Sequence, residues 1–392
     1  MTHYPYLVIG GGMTADAAVR GIRELDANAP IGLIGDEPDP PYSRPPLSKA
    51  LWTGEPLETV WRNTANVGVD LHLGRRATAL DLSAKTVVDD RGEKYGFGKL
   101  LLATGGTPRR LPFGGERVVY FRTLEDYRRL RALADQGKTF AVIGGGFIGS
   151  EIAAALAMQG CTVTMLFPEP GIGARVFPQD LARFLVGYYG EKGVDVRPGE
   201  QVTNVAGSES RLVVETESGQ SVTVDGVVAG IGIVPDTELA RGAGLAVDEG
   251  IVVDERLRTS HPDIFAAGDV ARFHAPALGR RIRVEHENNA LTMGRAAGRS
   301  MAGDTSAYSH LPFFYSDLFE LGYEAVGELD PRDETVADWK EPFREGVVYY
   351  LSSGRVRGVL LWNTWGQVNA ARALIGEPGP FRAADVVGRL PA

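Results

Sequence analysis

Two stretches of the same build, YLVIGGGMTADAAV at residues 6–19 and FAVIGGGFIGSEIAAAL at residues 140–156, predict an α/β chain with two Rossmann-like domains. Each runs from an apolar strand through a glycine cluster into a helix of small residues. Strand and helix alternate around both copies, which implies parallel, doubly wound sheets. The texture changes near residue 309. Beyond it, GVVYYLSSGRVRGVLLWNTW (346–365) reads as a β-hairpin within a third, C-terminal α+β domain.

Taken in order, strands are expected at 7–9 and 31–34 around a helix at 14–25, and 140–143, 148–159 and 163–167 repeat that arrangement. The copies stand too far apart for a solenoid and read as two related domains. KLLLATGGTPRRLP (99–112) and GVVAGIGIVPD (226–236) are apolar strands ending in glycine and then proline, each closing one Rossmann-type unit. DIFAAGDVA (263–271) has the same strand-then-glycine form.

Composition narrows the function classes. The 392 residues are 44% hydrophobic and 23% charged, the balance of a globular protein. A net charge of −9 argues against a general attraction to nucleic acid or an anionic membrane. With no run of 18 apolar residues, no membrane span is expected. The first strand lies too near the N-terminus for a signal peptide, so the expected location is cytoplasmic. The single cysteine, Cys161, cannot form an intrachain disulfide and reads as a small buried apolar residue. The six histidines are scattered, and no metal, nucleophile-elbow or Walker pattern is present.

The glycine clusters carry the chemistry. Gly10-Gly11-Gly12-Met13-Thr14-Ala15 has the spacing G-x-G-x-x-A. Its first glycine makes the turn, its second admits a pyrophosphate, and its small third residue lets helix and strand pack closely. The helix N-terminus offers free N–H groups to the phosphates. Asp36, at the end of the next strand, can accept hydrogen bonds from ribose hydroxyls. The second copy, Gly144-Gly145-Gly146-Phe147-Ile148-Gly149, is a full G-x-G-x-x-G, with Glu169 as the counterpart of Asp36. An acidic residue there favours a free 2′-hydroxyl, so NADH is expected over NADPH. Pro168 displaces Glu169 somewhat, and Arg175 stands where it could reach a 2′-phosphate. Two dinucleotide pockets in one chain imply two cofactors and a reaction between them.

The chain resembles the FAD-dependent NAD(P)H oxidoreductases of the ferredoxin-reductase type, and within them the apoptosis-inducing factor family and its prokaryotic relatives. The resemblance rests on VIGGGMTA, DEPDPPYSRPPLSKALW, LLATGGTPR, VIGGGFIGSEIAAAL, LFPEPG, AAGDVA, RRIRVEHENNA, FFYSDLFELGYEAVG and GVLLWN, and spans almost the whole chain. It implies an FAD-binding domain at 1–110 and 234–308, an inserted NAD(P)H-binding domain at 111–233, and a C-terminal interface domain at 309–392. Where disulfide-type relatives carry two cysteines facing the flavin, this chain has PPYSRPPLSK (40–49). Electrons would then leave the flavin directly for an outside acceptor.

Site residues follow from the same resemblance. The glycine loop at Gly10, Gly11, Gly12, Met13, Thr14 and Ala15 would hold FAD. Asp36 and Glu37 would bind its ribose, Arg44 would lie nearby, and Ala77 would offer backbone to the adenine. Thr104 and Gly105 would line the flavin cleft, Arg122 would touch the cofactor, and Asp269 would bind the ribityl chain. Lys49 would point at the flavin N5 region and pair with Glu151. Burial would tend to discharge that lysine, and a carboxylate partner would keep it protonated. The plain alternative is two separate surface charges. Glu285, His286 and Glu287 would open a helix to about residue 300 aimed at the flavin pyrimidine edge, although His286 reads equally as a structural histidine. Phe147 would cover the flavin until nicotinamide displaces it, or simply pack in the core. Tyr315 stands where the family often places tryptophan. Gly144, Gly146, Ile148, Gly149, Glu151, Glu169, Arg175, Gly232, Glu285 and Glu324 would complete the NAD site with Phe147.

The implied activity is hydride transfer from NADH to FAD and then electron transfer to a ferredoxin-type protein or a quinone. The alternative is a redox-responsive interaction protein, in which a stable reduced FAD–NAD charge-transfer complex controls conformation or dimerisation; the chain would be a monomer or a redox-linked homodimer. An arginine-rich set remains: Arg109, Arg110, Arg117, Arg122, Arg128, Arg129 and Arg131, with Arg280, Arg281 and Arg283. It reads as a solvated helix face or as a docking patch for an acidic ferredoxin-like partner.

Overall fold

The computed structural model describes residues 1–136, 138–208 and 211–391. Its backbone contacts group into two units. The first comprises Met1–Arg44, Leu57–Thr107 and Val234–Pro312, and the second Pro45–Pro56, Pro108–Ile233 and Phe313–Ala392.

The first unit is built on a seven-stranded mixed sheet. Asp70–Leu73, Ile31–Gly35, Thr2–Ile9 and Lys94–Leu102 run parallel, and Thr86–Asp89 and Ala77–Asp81 continue the sheet antiparallel. Ile264–Ala266 adds a parallel strand beside Lys94–Leu102. Leu7, Val8, Leu33, Leu100, Leu101 and Leu102 are fully buried, as strands covered on both faces require. The first strand starts at Thr2 and not at residue 7, because Thr2, His3 and Tyr4 pair with Tyr95, Gly96 and Phe97. The helix after it spans Met13–Arg23 and stops short of residue 25, where the Leu25 N–H bonds three residues back to Ile22 in place of the helical four. Asp16 on this helix is fully buried and tied to Arg20, Arg62 and Thr64. Burial pushes its carboxyl up, but these hydrogen bonds outweigh that and leave it below the usual range.

In the second unit, Val194–Pro198, Thr162–Phe167, Thr139–Ile143, Gly226–Ala229 and Val118–Tyr120 form a five-stranded parallel sheet in that order. The Phe147–Met158 helix follows the second glycine cluster. A three-stranded meander, Val202–Ser208, Arg211–Thr216 and Ser221–Val224, adds an apolar layer on Ala141, Ile143 and Leu166. The C-terminal part of this unit is a five-stranded antiparallel sheet with the Val368–Gly376 helix against it. Its hairpin pairs Glu345–Ser352 with Arg355–Trp362 around the expected Ser-Ser-Gly turn. Trp362 stacks on Tyr323 at 5.7 Å, and Phe177, in the turn before the Gln179–Glu191 helix, meets both rings edge-on.

Residues 45–56 are the unexpected part, because they lie within the N-terminal sequence yet pack with the second unit. The Trp52 ring meets Tyr127 edge-on at 5.7 Å, and its carbonyl accepts from Gln159 Nε2 at 2.7 Å.

Candidate functional site

Both glycine clusters are shaped the same way. Gly10 (φ 125°) and Gly144 (φ 117°) hold backbone conformations that favour glycine. A side chain on either would strike a neighbouring carbonyl, that of Ala103 at 2.1 Å or of Gly230 at 2.5 Å. At Gly12 and Gly146 an added Cβ would meet nothing within 4 Å, so the loop is open where a phosphate must approach. Gly12 and Gly146 are also the N-caps of the following helices, and neither has a side chain to satisfy the first N–H groups. By contrast, Thr123 closes the Leu124–Ala134 helix with a full capping box. Two uncapped helix ends behind open glycine loops suit two dinucleotide pyrophosphates.

In the first unit several expected residues converge. Met13, Thr14 and Ala15 form the first turn of the helix and are buried. Gly268 approaches Thr14 so closely that a Cβ there would lie 2.3 Å from its hydroxyl, which brings the Asp269 turn to the same helix end. Arg44 is bound to Glu37 at 2.5 Å, and Glu37 also accepts from the Tyr42 hydroxyl. Burial works against the Arg44 charge, while Tyr42, Glu37 and Asp269 together raise its pKa above the ordinary value. His286 is the residue at the N-cap position of the Glu287–Met301 helix, with no capping bond from its side chain, so the helix starts at Glu287 and not at Glu285. Burial pushes His286 down to about 4, with Asp269 pulling the other way. Glu285 is paired with Arg283. Asp36 is exposed and bound to Arg76, next to Ala77 at the start of an edge strand. Thr104 donates to the Asp236 carbonyl, and the Gly105 carbonyl accepts from the Asp236 N–H.

The second unit contains the other cluster. Lys49, between two short 3-10 turns, meets Glu151 of the Phe147–Met158 helix at 2.5 Å. The pair is buried, with the lysine side chain 13% and the glutamate 5% exposed, so the two are not separate surface charges. The Lys49 ammonium also lies 5.5 Å over the Tyr315 ring. Phe147 packs against Phe314 at 5.1 Å. Around the second loop, Gly149 touches the Gly144 carbonyl and Ile148 is exposed. Glu169 accepts a forked pair of bonds from Arg175, at 2.8 Å and 2.5 Å. The Gly232 carbonyl accepts from the Arg109 N–H, Glu324 accepts from the Gly366 N–H, and the Arg122 N–H donates to Asp126.

The arginine-rich set is divided. Arg280, Arg281 and Arg283 belong to the first unit and the rest to the second. Arg110, Arg128 and Arg131 are engaged locally by Glu116, Glu125 and Asp135, and Arg131 also stacks over Trp52. Cys161 is buried and free, and burial pushes its thiol up, the opposite of a reactive thiolate. Among the described residues no cluster of metal-ligating side chains occurs, and no helix is long and apolar enough to cross a membrane.

Three participants escaped sequence reasoning. Ser48 and Ser316 both donate to Glu151, and Arg76 pairs with Asp36. Ser48 adjoins Lys49 in PPYSRPPLSK, so its neighbourhood was visible, but Ser316 has no sequence signal pointing to Glu151.

The chain is similar to known proteins along almost its whole length. The family model for pyridine nucleotide-disulphide oxidoreductases matches residues 4–294. The chain is 35% identical over 402 residues to the ferredoxin–NAD(+) reductase component of the anthranilate 1,2-dioxygenase system of Burkholderia cepacia, covering 98% of each protein. It is 33% identical over 416 residues to apoptosis-inducing factor 1, mitochondrial, of Dictyostelium discoideum, covering 95% of this chain and 78% of that protein. Among solved structures, a chain of the covalent putidaredoxin reductase–putidaredoxin complex superposes with a TM-score of 0.90 at 32% identity, covering 96% of this chain and 94% of that one.

Proposed function

Because the chain belongs to the pyridine nucleotide-disulphide oxidoreductase family, we propose that it is an FAD-dependent NADH oxidoreductase that passes electrons to a ferredoxin-type protein without a redox disulfide. The observation that carries this is the pair of open, uncapped glycine loops in a chain whose one cysteine is buried. One loop binds FAD and the other NADH. When bound, FAD would supply hydride acceptance from NADH and electron release to an outside acceptor.

The protein's own contribution is positioning and field. The Met13–Arg23 helix directs unsatisfied N–H groups at the FAD pyrophosphate, and the Phe147–Met158 helix does the same for NADH. Arg44, held by Glu37, sets the charge beside the first site with Asp269 and neutral His286. Lys49, held by Glu151, supplies the positive charge that favours electron-rich flavin. Glu169 accepts from the 2′-hydroxyl of NADH; its hold on Arg175 leaves that arginine committed, which disfavours NADPH. A quinone is the alternative acceptor, and the exposed arginines of the second unit are the docking patch for an acidic protein. A cytoplasmic location is part of this reading, supported by the acidic balance and the free, buried Cys161.

Anaerobic titration with NADH and NADPH, followed by a panel of ferredoxin-type and quinone acceptors, tests the proposal. Lys49→Ala should slow flavin reduction by about tenfold or more while FAD remains bound. Reduction at the native rate would remove Lys49 from the reaction, and a colourless protein that refuses FAD would end the reading. The Dictyostelium relative keeps a second reading in view, a redox-responsive interaction protein. Sluggish reoxidation by every acceptor would favour it.

A further inference from the structure

The Glu151 carboxylate has more partners than its lysine. Its Oε1 accepts from Lys49 Nζ at 2.5 Å and from the Ser316 hydroxyl at 2.6 Å, and its Oε2 accepts from the Ser48 hydroxyl at 2.5 Å. Ser48 is 6% exposed and Ser316 1%. The donors come from two stretches of chain, the Pro45–Ser48 turn with the adjoining Lys49 and the Phe313–Leu318 strand, and they meet on Glu151 of a third, the Phe147–Met158 helix. All lie within the second unit.

A glutamate on a helix reaches its target through three rotatable bonds, and one ion-pair partner does not fix the plane of its carboxylate. Hydroxyl donors on both oxygens do. We propose that Ser48 and Ser316 are positioning residues, which clamp the Glu151 carboxylate from both sides and so fix where the Lys49 ammonium sits. The inference deepens the role given to Lys49 above and rests on it.

The serines bear no charge, so removing a hydroxyl leaves the charge of the pair intact and disturbs only its geometry. Each alanine variant leaves a carboxylate oxygen short of a donor in a site with little water to replace it. The carboxylate then turns toward its remaining partners and draws the ammonium with it. Other groups face the same carboxylate. Tyr189 and Tyr323 are buried beside it and are raised well above the ordinary phenol range by burial and then by Glu151, so they stay neutral. Asp317, next along the strand, feels Lys49 and Glu151 together.

The test compares Ser48→Ala, Ser316→Ala, Ser316→Thr and Lys49→Ala in the FAD-loaded protein. The readouts are the FAD midpoint potential by anaerobic titration and single-turnover reduction by NADH, with FAD content and melting temperature confirming the fold. Each alanine variant should lower the limiting rate of reduction about three- to tenfold, with the NADH concentration for half-maximal rate unchanged. The potential should move in the same direction as in Lys49→Ala, and by less. Ser316→Thr, which keeps a hydroxyl, should restore both readouts. Native potential and rate in both alanine variants, beside a clear shift in Lys49→Ala, would overturn the clamp alone. No shift in Lys49→Ala would overturn the role of Lys49 and the clamp with it.

Discussion

His286 illustrates how much one side chain can encode. Its imidazole is pushed from 6.5 to about 4 by burial, against the pull of Asp269, so it is neutral at physiological pH. In the unfolded chain the same group takes up a proton once the pH falls below about 6.5. Between pH 6.5 and about 4 the unfolded state therefore binds more protons, and the folded state loses stability as the pH falls across that window. The loss should reach roughly 2–3 kcal/mol at the acid end. Urea midpoints measured at fixed FAD content should show it, and His286→Gln should flatten the curve over that range. An unchanged slope would mean that His286 titrates normally. The sequence showed His286 at a helix start but left its state open, because burial depends on chain packed from elsewhere. Ser316 was hidden for the same reason: its partner Glu151 stands on another element, and no local pattern connects them.

Among elements, the Met13–Arg23 helix and the Glu287–Met301 helix cross at backbone contact. A Cβ on Gly298 would lie 2.0 Å from the Ala18 carbonyl, on Gly294 2.4 Å from that of Thr14, and on Gly21 2.2 Å from that of Arg295. In an isolated helix, glycine to alanine gains about 1 kcal/mol. Here the clash is with backbone, and overpacking of that kind costs about 1–3 kcal/mol or more. Gly298→Ala should therefore destabilise the protein by roughly 2 kcal/mol in a urea titration, reversing the usual sign. It should also lower bound FAD, because the displaced helix carries the first glycine loop at its other end. A more stable variant with full FAD would show that the two helices have room to part. The glycine loops themselves were legible because their spacing, flanking strand and following helix are all local. Gly294 and Gly298 carried no such local signal, since the sequence does not say which helix they meet.

At the scale of the whole chain, order in sequence and grouping in space part company. Residues 45–56 sit between two segments of the first unit yet pack with the second, held by Trp52, Gln159 and the Lys49–Glu151 pair. The sequence announced two Rossmann-like folds and a C-terminal hairpin, since each has its own period and turn. It did not announce that the parallel sheet of the second glycine loop and the C-terminal sheet share one unit, because contacts such as Ser316 with Glu151 and Tyr350 with the Val176 carbonyl connect residues far apart in sequence. The two loops, Gly10 to Ala15 and Gly144 to Gly149, belong to different units, so each cofactor should protect its own. A ligand at 100 times its dissociation constant stabilises the state that binds it by about 2.7 kcal/mol. Amide hydrogen exchange on FAD-loaded and FAD-stripped protein should then slow most over residues 9–23, with NAD⁺ added afterwards slowing residues 143–158. Protection of the second loop by FAD, with the first loop untouched, would reverse the assignment of cofactors to loops. The expected result follows from open space at Gly12 and Gly146 and from helix ends that no side chain caps, because a bound pyrophosphate supplies the acceptors those N–H groups lack.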